Sequence, residues 1–61
     1  MPTIFFYGPK LEKDKKQELI KKFTEAASEA TGIPQPAFVV YLREVARDEV
    51  GVGGELLSEK Q

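Results

Sequence analysis

The spacing of apolar and polar positions changes twice along this chain, and each change marks an element. Residues 2–7, PTIFFY, are rich in β-branched and aromatic side chains, which favour a strand. In a strand Pro2, Ile4 and Phe6 share one face and Thr3, Phe5 and Tyr7 the other, so both faces are largely apolar. That is the pattern of a strand covered on both sides. Gly8-Pro9 then breaks it. From Lys13 to Thr31 the apolar positions recur at helical spacing: Leu19, Phe23, Ala26, Ala27 and Ala30, with Ile20 beside them. The opposite face is charged, and Glu12/Lys16 and Glu18/Lys22 are spaced as i,i+4 pairs. Gly32 supplies a C-cap and Pro34 prevents continuation. Residues 37–44, AFVVYLRE, read as a second strand, with Val39, Tyr41 and Arg43 on one face and Phe38, Val40 and Leu42 on the other. Gly51, Gly53 and Gly54 then predict a tight turn or short hairpin ahead of an apolar ELL.

Strand, long helix, strand is a β-α-β unit, so the two strands are expected to be parallel. The fold class is α+β, one domain over residues 1–61 with a C-terminal glycine-rich turn or hairpin. Two strands and one helix cannot cover themselves. The helix hides one sheet face, and the other needs a partner. A second copy of the chain, sharing the sheet, is the economical solution, and the chain is expected to be an oligomer.

Composition narrows the chemistry. With 61 residues the chain is small enough that a lone core is marginal, and staples or association are the usual remedies. It has no Cys and no His, which removes disulfides, thiolate zinc sites and imidazole catalysis. A net charge of −1 gives no electrostatic footprint for nucleic acid. No apolar run reaches the roughly 20 residues of a membrane span, and a cytoplasmic location is expected. The GVGG run is followed by no Lys-Ser or Lys-Thr helix, so it is turn chemistry and not a phosphate loop.

Four features in order, MP at the start, YGP after the first strand, a helix ending EATGIP, and VGVGGEL near residue 50, resemble the 4-oxalocrotonate tautomerase family over essentially the whole chain. The resemblance implies a β-α-β protomer that dimerises into a four-stranded sheet, with three dimers forming a homohexamer. It implies a cofactor-independent proton transfer on enol and keto acids, with no metal and the amine of an N-terminal proline as base. Pro2 becomes such a secondary amine once Met1 is removed; otherwise it merely punctuates the strand start. Apolar and cationic neighbours lower an amine's pKa towards neutrality, where a base abstracting a proton beside a carbonyl is most useful.

The resemblance also implies cationic side chains for the substrate carboxylates, and here the chain departs from the family pattern. Leu11 stands at the loop position and Val39 at the mid-strand position where arginines are usual. Lys10 and Arg43 are the available substitutes, set against readings as a solvated turn residue and a strand-end surface charge. Arg47 reads as a surface residue. Val50 stands where relatives carry an aromatic wall residue, and it also suits plain hairpin packing. The resemblance implies a 2-hydroxy-dienoate or enol-type keto acid as substrate, while the departures at Leu11 and Val39 argue against the classical diacid. A non-catalytic scaffold of the same fold is the alternative, as is another Pro2-dependent reaction such as decarboxylation or dehalogenation.

Overall fold

In the computed structural model, which describes residues 1–60, β1 (Thr3–Gly8) and β2 (Val39–Glu44) lie side by side and parallel, joined by α1 (Lys13–Thr31). Gln61, the last residue of the expected domain, lies outside the described residues. The register runs Thr3↔Val39, Phe5↔Tyr41, Tyr7↔Arg43 on one face and Ile4↔Val40, Phe6↔Leu42 on the other. The Ile4 face is half-buried beneath α1, where Phe6 meets Phe23 with ring centroids 5.6 Å apart. On the outer face Phe5 and Tyr41 stack at 5.0 Å and 9° but stay open to solvent.

The helix runs over the span its period predicts. Gly32 closes it in the left-handed region at φ 79°, and its N–H donates to the Ser28 carbonyl at 2.8 Å. Only a narrow stripe faces the sheet: Leu19, Ile20, Phe23, Thr24, Ala27 and Ser28 are half-buried, while Ala26 and Ala30 are exposed. Two strands are too narrow to reach those flanking positions. Lys22 pairs with Glu18 at 2.9 Å. Glu12, at the N-cap, accepts the Lys16 N–H on its carbonyl at 3.0 Å but makes no side-chain ion pair with Lys16. The second strand begins at Val39 rather than residue 37, since Gln35–Ala37 forms a 3₁₀ turn with proline in its first positions.

Beyond β2, a 3₁₀ turn (Arg47–Glu49) leads to an antiparallel hairpin of β3 (Gly51–Val52) and β4 (Glu55–Leu56). Gly53 and Gly54 form its two-residue loop with φ of 62° and 87°, the pair of positive angles that a tight hairpin turn demands. The arm then closes on itself. The Leu57 N–H donates to the Val50 carbonyl at 2.7 Å, and Arg47 Nη2 donates to the Leu57 carbonyl at 3.0 Å.

The described residues contain no buried side chain. The chain exposes 5050 Å², against about 4,000 Å² for a compact monomer of its mass. Its radius of gyration, 14.5 Å, exceeds the roughly 10.5 Å of a compact chain of this length. Phe5, Tyr7 and Tyr41 are 59%, 68% and 47% exposed. Such a patch marks an interaction surface.

Candidate active site

Pro2 sits immediately ahead of β1, half-buried, and its carbonyl accepts the Val39 N–H at 3.0 Å. The ladder therefore begins at Pro2, pinning its backbone from the carbonyl side. The nitrogen side takes no part in the ladder, so a proline is tolerated here. Met1 is 88% exposed, and its carbonyl accepts a long 3.5 Å bond from the Thr3 hydroxyl.

Of the residues singled out from the sequence, only Val39 lies beside Pro2 within one chain. Arg43 is four residues further along β2, opposite Tyr7, which is about 13 Å at the rise of a parallel strand. Lys10 is exposed in the loop leaving β1 at that same far end. Val50 is half-buried in the arm beyond the sheet, at the end of the Arg47–Glu49 turn. Arg47 does more than face solvent, since it ties down Leu57. The candidates thus fall into two groups at opposite ends of the sheet and a third in the arm.

The far end holds a feature that residue patterning misses. A cavity of about 70 Å³ is lined by Phe6, Pro9, Leu11, Lys16, Leu42, Arg43 and Glu44. Leu11, which stands at the position where relatives carry a cation, is half-buried and lines that cavity. An adjoining open groove of about 550 Å³ shares Phe6, Pro9 and Leu11 and continues along α1 to Leu19 and Lys22. Lys16 belongs to the first turns of α1 and looks like one more solvated charge in the sequence. Its clue is position, because the first turns of a crossover helix start near the end of the strand they follow. No group of His, Cys, Asp or Glu side chains among the described residues is arranged to hold a metal ion.

A sequence model of the family described as "Tautomerase enzyme" matches residues 2–60. The chain belongs to the tautomerase family. It is 40% identical to a probable tautomerase of Bacillus cereus over 47 residues, 77% of each chain. It is 35% identical to the 2-hydroxymuconate tautomerase of Bacillus subtilis over 48 residues, covering 79% of this chain and 77% of that one. Its fold superposes on the crystal structure of DmpI from Archaeoglobus fulgidus with a TM-score of 0.89 at 36% identity, over 95% of this chain and 100% of the other. A heterohexamer 4-oxalocrotonate tautomerase from Chloroflexus aurantiacus shares the fold with a TM-score of 0.89 at 22% identity, over the full length of both chains. As a tautomerase of the 4-oxalocrotonate tautomerase type, the chain is an isomerase with a β-α-β protomer and a parallel strand pair.

Proposed function

We propose that this tautomerase moves a proton between oxygen and carbon in 2-hydroxy-dienoate or enol-type keto acids, with the amine of Pro2 as general base after loss of Met1. The amine takes the enol hydroxyl proton, the oxygen's electrons close the carbonyl, and the resulting ammonium returns a proton to carbon. No cofactor is required, because the electrons never leave the substrate. The observation that carries this reading is the seating of Pro2. Its carbonyl is fixed by the Val39 N–H at 3.0 Å, and its nitrogen, in a half-buried residue, lies outside the ladder. A base that titrates near neutrality is what proton abstraction beside a carbonyl needs. An ordinary chain amine titrates near 7.7–8.0.

The assembly consistent with the uncovered sheet face is a homo-oligomer, proposed as a hexamer of three dimers. Leu11 and Val39 at the usual cation positions favour a second reading, a non-catalytic scaffold of the same fold. The two are separated by kinetics on protein whose intact mass confirms loss of Met1, with 2-hydroxymuconate and phenylenolpyruvate as substrates. Turnover is expected, with kcat reduced about 10²–10⁴-fold in Pro2→Ala. Because Pro2→Ala still ends in a primary amine, near-wild-type turnover with the same pH profile would rule out a requirement for the proline's secondary amine. No turnover by the Met1-free wild type would favour the scaffold.

A further inference from the structure

Resting on the Pro2 reading, we infer that Ser28 and Thr31 are positioning residues for the reaction: their hydroxyls clasp the backbone of Ile33, and through the link into β2 that clasp fixes the seat of Pro2. The link, residues 32–38, runs from the end of α1 to Val39. Residues 32–36 of it are exposed, so apolar packing does not hold them. Hydrogen bonds do. The Ser28 hydroxyl donates to the Ile33 carbonyl at 2.6 Å. The Ile33 N–H donates to Thr31 Oγ1 at 3.2 Å, and the Thr31 hydroxyl donates onward to the Ala27 carbonyl at 2.7 Å. Ile33 is thus gripped at both its N–H and its carbonyl by the C-terminal end of α1.

Beyond that grip the chain has little freedom left before it reaches Pro2. Pro34 and Pro36 have their φ fixed by their rings. The Ala37 N–H donates to the Pro34 carbonyl and the Phe38 N–H to the Gln35 carbonyl, both at 3.0 Å, closing the 3₁₀ turn. The next N–H, that of Val39, is the one that holds the Pro2 carbonyl at 3.0 Å. A general base must stand within hydrogen-bond reach of the proton it takes, and a misplacement of about 1 Å can cost ~10²-fold in rate. The behaviour of residue 28 also points beyond helix stability. Thr24 and Thr31 bond back to the carbonyl four residues earlier, the usual habit of a hydroxyl in a helix. Ser28 instead reaches forward five residues into the link, at a position where alanine would be the better helix former.

The test compares Met1-free wild type with Ser28→Ala, Thr31→Val and the double variant, by amide hydrogen exchange and by kinetics on phenylenolpyruvate. Loss of the hydroxyl bonds should speed exchange of the Val39 N–H about ten-fold in the double variant, with the other amides of the strand pair changed much less. Turnover, kcat, should fall about ten-fold with KM nearly unchanged, because the base is displaced while the groups that bind the acid are not. Ser28→Thr, which keeps the hydroxyl, should hold both readouts near the wild-type values. Exchange that quickens equally across the sheet would make the clasp a general stabiliser and overturn the assignment. Val39 exchange or kcat at the wild-type value in the double variant would overturn it too. Should the double variant fail to fold, Ser28→Ala decides alone, since alanine favours the helix. Equal rates for Met1-free and Met1-retaining wild type would remove the base instead, and the exchange of Val39 still judges the clasp.

Discussion

Replacing Phe5 by Asp should dissociate the assembly. Phe5 projects from the sheet face away from α1, is 59% exposed in the isolated chain, and stacks on Tyr41, itself 47% exposed. An aromatic side chain of about 200 Å² leaves roughly 120 Å² to be covered by a second copy, worth about 3 kcal/mol at 25 cal/mol per Å². A twofold contact counts it twice, so losing both weakens the association by about 6 kcal/mol, or ~10⁴-fold. An Asp forced into the same interface adds the cost of desolvating a charge. With no buried side chain among the described residues, a released protomer has little to hold it folded. Sedimentation and far-UV circular dichroism across a micromolar concentration series should therefore show the 6.8 kDa species appearing together with lost helix signal. An unchanged assembly with unchanged stability would mean that this face looks at solvent in the native protein, and the reasoning from exposed aromatics would fail.

Other consequences follow from single contacts. Gly8→Ala places a Cβ 2.6 Å from the Phe6 ring, so the ring must leave its seat on Phe23; a loss of about 1–3 kcal/mol is expected, read as a lower Tm at fixed protein concentration. Lys22 holds the Glu18 carboxyl below the usual range by hydrogen bonding and charge, so the pair stabilises the fold above about pH 4.3 and is lost as pH falls through the folded-state value. The Tm difference between wild type and Lys22→Met should shrink in that window, and a difference independent of pH would show the pair to be idle. Turnover of the diacid 2-hydroxymuconate should lag that of the monoacid phenylenolpyruvate, and, on the proposal that Lys10 holds the second carboxylate, Lys10→Ala should slow only the diacid. Equal effects on both acids would remove Lys10 from substrate contact.

The fold was legible where one local signal dominates. The β-branched and aromatic run PTIFFY, the Leu19–Phe23–Ala27 period and Gly32 define β1 and α1, and Gly53-Gly54 defines the hairpin. What escaped depends on geometry with no period of its own. Pro36 converts the start of the second apolar run into a 3₁₀ turn, and Ala26 and Ala30 join the apolar spacing yet lie past the sheet's edge. The neighbourhood of Pro2 and Val39 follows from pairing two parallel strands from their starts. That same pairing puts Arg43 at the far end, which a list of cations on one face does not reveal. Lys16 becomes visible only when loop, helix and strand end meet around one cavity.

The measurement closest to the central claim is kcat/KM for phenylenolpyruvate on two forms of the same chain, one with Met1 removed and one with Met1 retained, each verified by intact mass. They differ by Met1, which is 88% exposed and accepts one long hydrogen bond, and hence in whether the Pro2 nitrogen is a secondary amine or an amide. The Met1-free form should turn over the substrate at least about 10²-fold faster, as a general base requires. Equal rates in the two forms would contradict the claim that Pro2 is the base.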